Sequence, residues 1–236
     1  MKSVRCFSLL ILALAAIAQE STSLYYVGFL RPDPARKALS REEGERIQNA
    51  HMANIHKMAD DGFLAAAGPF ENDPPPISGI FVMKAKSLEE AQRIAGQDPT
   101  VREHRNTIDI HAWRAPAGIG DEYFRLHKEH PETPENMGVH PLMILARGPA
   151  WATTEPEGRV AAMANHILYI QKLHREGKLA AAGSMERDPN LVGMVVFERI
   201  PLEDARRLIA EDPAVKANLV SVEPHRWWSS DHVLPW

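Results

Sequence analysis

The chain repeats itself, and that constrains its fold more than any other feature. Gly62 to Gly68 reads GFLAAAG, and Gly177 to Gly183 reads GKLAAAG. Ser87 to Val101 reads SLEEAQRIAGQDPTV, and its echo from Pro201 to Val215 reads PLEDARRLIAEDPAV. Gly177 stands 115 residues after Gly62, and Leu202 stands 114 after Leu88, so one residue is lost from the second repeat between these landmarks. His51 then matches His166, Asp73 matches Asp188, Asp98 matches Asp212, and His111 matches His225. Two units are too few for a solenoid, so each reads as a small domain.

Ahead of the repeats stands an export signal. Lys2 and Arg5 form a positive start, Phe7 to Ile17 is apolar, and Ala16-Ile17-Ala18 has the small-x-small form of a cleavage site. The organisation expected is residues 1–18 signal peptide, 19–115 first domain, 116–137 linker and 138–236 second domain. The mature protein is therefore expected in the periplasm or secreted, with no membrane partner after cleavage. The single cysteine, Cys6, falls in the signal, so stability must come from a packed core. Removal of Lys2 and Arg5 shifts the net charge from −4 to −6, and no lysine/arginine block stands out, which argues against nucleic acid as a partner.

Within the first repeat, Leu24 to Leu30 reads as a buried strand. Ser40 followed by Glu43 has the capping-box pattern, which predicts a helix that runs to about Asp61 and stops at Gly62. Phe63 to Ala67 and Gly79 to Met83 read as strands, Ser87 caps a second helix, and Thr107 to Trp113 makes a last strand. The order β-α-β-β-α-β is ferredoxin-like. The second repeat follows it over Val139–Ala146, Glu155–Glu176, Lys178–Ala182, Gly193–Phe197, Leu202–Ala210 and Leu219–Trp227, and a short linker helix is predicted near Asp121–Glu129. A single helix layer covers one face of each sheet, so the other faces should pair with each other, as a pseudo-dimer within one chain.

His51 lies in the stripe Ile47, His51, Ile55, Met58, and His166 in the stripe Met163, His166, Ile170, Leu173. A histidine there either packs in the core or faces a pocket, and its presence in both repeats gives a site equal weight with packing. Asp73 and Asp188 are its candidate partners. From each histidine the helix descends about 15 Å and the next strand climbs back about 17 Å, which returns the following loop to the histidine's level. A carboxylate on one imidazole nitrogen would fix the tautomer and make the other a general base or acid. The same aspartates also suit turn formation. Asp98-Pro99 and Asp212-Pro213 read as helix stops. His111 and Trp113, and His225 and Trp227, share a strand face and suit packing between the repeats. His127 and His130 lack a third ligand, so no metal site is predicted, and no phosphate loop or nucleophile elbow is present.

These residues resemble the YCII-related (YciI-like) family, through the helical histidine, the G-x-L-x-x-A-G-P segment at Gly62 to Pro69 and the segment from Ser87 to Val101. The resemblance implies an α+β fold of two ferredoxin-like modules paired as a dimeric α+β barrel. It also implies a His-Asp site at His51/Asp73 and His166/Asp188, without a cofactor; a related member looks like a dehydrochlorinase. The arginine that usually precedes the family's histidine is replaced here by Asn49 and Asn165 nearby, and Ser184 replaces the proline in the second repeat. Acid/base elimination or hydrolysis of a small organic substrate follows. A non-catalytic small-molecule binder is the alternative, as is a cofactor-free monooxygenase or isomerase with His111, Trp113, His225 and Trp227 around a pocket. The expected state is a monomeric pseudo-dimer or a homodimer.

Overall fold

The computed structural model describes residues 21–71, 77–132 and 134–236. The signal peptide expected over residues 1–18 and Asp73 lie outside the described residues.

The first repeat runs β1 (Thr22–Pro32), α1 (Arg41–Asp60), β2 (Leu64–Pro69), β3 (Gly79–Met83), α2 (Leu88–Ala95), α3 (Pro99–Arg102) and β4 (Asn106–Pro116). The linker carries α4 (Asp121–Glu129). The second repeat runs β5 (Met137–Arg147), α5 (Pro156–Arg175), β6 (Leu179–Met185), β7 (Leu191–Phe197), α6 (Leu202–Ala210), α7 (Pro213–Lys216) and β8 (Val220–Ser230). The local signals act as expected. Ser40 and Glu43 close a reciprocal capping box at the start of α1. Gly62 (φ 76°) and Gly177 (φ 64°) take the left-handed conformation after α1 and α5, where a residue with a Cβ is strained.

One expectation fails at Asp98-Pro99 and Asp212-Pro213. These pairs begin helices: Asp98 caps α3 and Asp212 caps α7, each with proline in the first turn. The reason is that proline needs no N–H in a first turn, and the aspartate before it accepts the orphan donor there. α3 and α7 had no counterpart in the sequence reading.

The eight strands form one antiparallel sheet in the order β2-β3-β1-β4-β6-β7-β5-β8. Repeats join where Trp113 and Arg114 of β4 pair with Met185 and Ser184 of β6. At the far edges Phe70 bridges to Trp227, and the Glu71 amide donates to the Arg226 carbonyl at 2.9 Å. The sheet therefore closes into a barrel, in the dimeric α+β arrangement, and the pseudo-twofold partner lies within the same chain. Strand faces alternate accordingly. Tyr25, Val27 and Phe29 point into an interior shared with Leu142, Ile144 and Val196 of the second repeat. Tyr26, Leu30, Phe81 and Met83 pack under the helices of the first repeat, and Met143, Leu145, Val195 and Phe197 under those of the second. Burial on both faces explains why β1, β3, β5 and β7 read as continuous apolar runs.

Candidate functional site

The stripe predicted for α1 faces the sheet: Ile47 and Met58 are buried, and His51 between them stacks on Phe81 of β3 with ring centroids 6.0 Å apart. The described partner of its Nδ1 comes from the turn after α2, while the expected partner Asp73 is outside the described residues. His51 Nδ1 lies 2.8 Å from Asp98 Oδ2, at the turn that caps α3. The second repeat builds the same pair, with His166 Nδ1 2.6 Å from Asp212 Oδ2 at the cap of α7. Both carboxylates are fully buried, and the two imidazoles keep 14% and 12% of their side-chain surface.

The Asp98 carboxylate is surrounded by donors. Oδ2 accepts from His51 and from Asn54 Nδ2 at 3.0 Å, and Oδ1 accepts from the Thr100 amide at 2.9 Å and its hydroxyl at 2.6 Å. Burial pushes its pKa up, but the hydrogen bonds from His51 and Thr100 and the charge of His51 outweigh this and hold it below the ordinary value. An ionised carboxylate only accepts, so His51 donates its Nδ1–H and presents Nε2 as the working atom. Asp212 has fewer donors: His166, and the Ala214 amide at 2.8 Å on Oδ1. Tyr169 and Ala214 stand where the first repeat has Asn54 and Thr100.

Asp188 does not meet His166. The β6–β7 loop leaves the barrel at the repeat junction, where the Glu186 amide bonds the Ala112 carbonyl at 2.8 Å, and so hangs over β4. Asp188 Oδ2 sits 2.5 Å from His111 Nδ1, while Asn190 and Leu191 amides donate to Oδ1 at 2.8 and 2.6 Å. His111 Nε2 lies 2.9 Å from Asp109 Oδ2. The loop serves the side of the sheet that carries His111, opposite the helix side that carries His166. Burial raises the Asp188 pKa, and the two amides and His111 together bring it below its usual value.

His225, the counterpart of His111, stacks on Phe70 of the first repeat at 4.6 Å and bonds Glu223 at 2.8 Å. Trp113 and Trp227 are each 1% exposed, inside the shared core. These four residues join the repeats. Among the described residues no group of three histidine, cysteine or acidic side chains is arranged to hold a metal. Nor is any helix there long and apolar enough to cross a membrane.

The missed residues were Asp98 and Asp212. Their signal was visible, since each occupies the same place in its repeat, but a helix stop accounted for them locally.

A search of the curated proteins finds no match. By fold the chain is similar to chlorite dismutase from Candidatus Nitrospira defluvii. One mutant of that enzyme superposes with a TM-score of 0.55 at 11% identity, over 91% of this chain and 93% of that one. A second gives 0.55 at 13% identity over 91% and 93%. A heme-binding protein from Thermus thermophilus gives 0.49 at 13% identity over 89% and 92%. At these identities the likeness is one of fold. The YCII-related domain matches residues 25–113 and again residues 142–229, so the chain belongs to the YCII-related domain family, with the domain present twice.

Proposed function

We propose that the protein is an exported enzyme, periplasmic or secreted, that performs acid/base chemistry on a small organic substrate, as a lyase or hydrolase. The observation that carries this reading is the recurrence of one dyad, His51–Asp98 and His166–Asp212, at 2.8 and 2.6 Å in the two repeats. The aspartate holds Nδ1–H and steadies the imidazolium, so Nε2 can take a proton from a substrate carbon or from water. In an elimination, the electron pair of the broken C–H bond forms the double bond, and the leaving group departs with its own pair. The proton then passes from Nε2 to solvent. In a hydrolysis, the same nitrogen draws a proton from the attacking water. Neither step calls for a cofactor.

Two measurements test this. Diethyl pyrocarbonate should carbethoxylate His51 and His166 on Nε2, mapped by mass spectrometry; lack of reaction at both would show rings sealed against substrate. A panel of chlorinated carboxylic acids and activated esters should then be turned over by the wild type and not by the His51→Ala/His166→Ala variant. Turnover that survives in that variant would sink the reading. For export, N-terminal sequencing of the mature protein from the extracytoplasmic fraction should begin near Gln19.

A further inference from the structure

Three arginines converge on one cleft of the second repeat, away from either dyad. The cleft lies beside β5 and β8, against the start of α6, with a volume of about 660 Å³. Arg199, Arg206 and Arg226 line it beside Val139, Pro141 and Leu202. Pockets of about 300–1,000 Å³ with an apolar wall and a few placed charges suit small organic ligands.

Arg199 is held by more than chance contact. A Cβ on Gly138 would lie 2.2 Å from Arg199 Cζ, so the missing side chain makes room for the guanidinium against β5. Arg199 Nε donates to His140 Nε2 at 3.3 Å, and Nη2 pairs with Asp231. His140 is 7% exposed and donates Nδ1–H to the Phe197 carbonyl at 2.9 Å. That leaves Nε2 as an acceptor, which requires a neutral ring. Burial supplies this by lowering the His140 pKa; the Phe197 carbonyl opposes it and the Arg199 charge reinforces it.

The other two arginines have partial partners. Arg226 Nε bonds Glu71 Oε2 at 2.9 Å, and Arg206 Nε lies 3.5 Å from Glu203 Oε1. A guanidinium has five N–H donors, so these pairs leave donors for a ligand. Glu203 also lines the cleft, and each guanidinium has one carboxylate beside it, so a ligand would be held by the N–H donors that these pairs leave over. α6 has Pro201 at its N-cap with no side-chain cap, and its first turn carries Glu203 and Asp204. None of this comes from the shared fold. The first repeat has Ala85, Gln92 and Ala112 in place of the three arginines, and Tyr25 and Ser23 in place of His140 and Gly138.

We propose that this cleft binds an organic anion, with an apolar body against Val139, Pro141 and Leu202 and a carboxylate or phosphate head on the three arginines. His140 is a positioning residue for Arg199. The test uses the full chain with 1-naphthoate, 1-naphthyl phosphate, neutral 1-naphthol and inorganic phosphate, read by thermal shift and by amide NMR. Both naphthyl anions should raise the Tm and move the Gly138 and Leu202 amide signals, and the tighter of the two identifies the head group. Arg206→Met and Arg199→Met should each weaken binding about tenfold or more, the loss of one charge-assisted hydrogen bond. His140→Gln, which keeps an acceptor, should bind better than His140→Leu. Binding should be unchanged in His51→Ala/His166→Ala, which separates this site from the dyads. The proposal is overturned if naphthol binds as well as naphthoate, if inorganic phosphate alone binds as tightly as the naphthyl anions, or if Arg199→Met and Arg206→Met keep wild-type affinity.

Discussion

At Asp98 a charge is sealed from water and remains charged because four donors face it, from His51, Asn54 and both the amide and the hydroxyl of Thr100. Its pKa is held below the ordinary 3.8, so the native state takes up its proton less readily than the unfolded chain does. The stability this provides is fully present above pH 3.8 and is lost as pH falls through the lower native value. Asp98→Asn keeps the shape and removes the charge. It should cost about 3 kcal/mol near neutral pH, and chemical denaturation at a series of pH values should show a shallower loss in acid than the wild type. Thr100→Ala copies the second repeat, where Ala214 stands, and deletes one donor. We expect about 1 kcal/mol of destabilisation by urea titration, while the His51 contact is retained.

The strands that join the repeats set tighter limits than the helices do. A Cβ on Gly183 would lie 2.1 Å from the Arg114 carbonyl oxygen and 2.8 Å from Trp113 Nε1. On Gly68 it would lie 1.7 Å from the Trp228 carbonyl oxygen and 2.9 Å from Trp227 Nε1. The obstacle is backbone in both cases, so it has no rotamer to yield. Gly68→Ala and Gly183→Ala should each cost about 3 kcal/mol or more in denaturant unfolding, because the strands must separate. Gly44, in the first turn of α1, has nothing within 4 Å of its added Cβ. Gly44→Ala should therefore stabilise by about 0.5–1 kcal/mol in the same assay. Ser40 and Glu43 were enough to locate the start of α1 from sequence, since a capping box is a contact between neighbours. The bridge from Phe70 to Trp227 could not be located that way, because its partners stand at opposite ends of the sheet order.

Across the whole molecule the barrel interior belongs to both repeats at once. Trp113, Tyr25 and Phe29 of the first share one core with Leu142, Met185 and Val196 of the second. Neither sheet can keep its inner face dry alone, so the repeats should melt together. Circular dichroism and tryptophan fluorescence should report one coincident transition. Trp113→Ala should lower stability by about 3–5 kcal/mol and destabilise both helical layers in hydrogen exchange, where a loss confined to the first repeat would contradict a shared core. From the sequence alone came the duplication, the order of the four strands and two longer helices within each repeat, and the two helical histidines, because each depends on patterns spaced by a few residues or on identity between the repeats. The tertiary structure alone decided which aspartate each histidine meets. Asp98 stands 47 residues beyond His51, and it reaches that ring because α3 packs on α1. Asp188 leaves with its loop to the opposite side of the sheet, a choice made by barrel closure, which buries both inner faces and which no local pattern encodes.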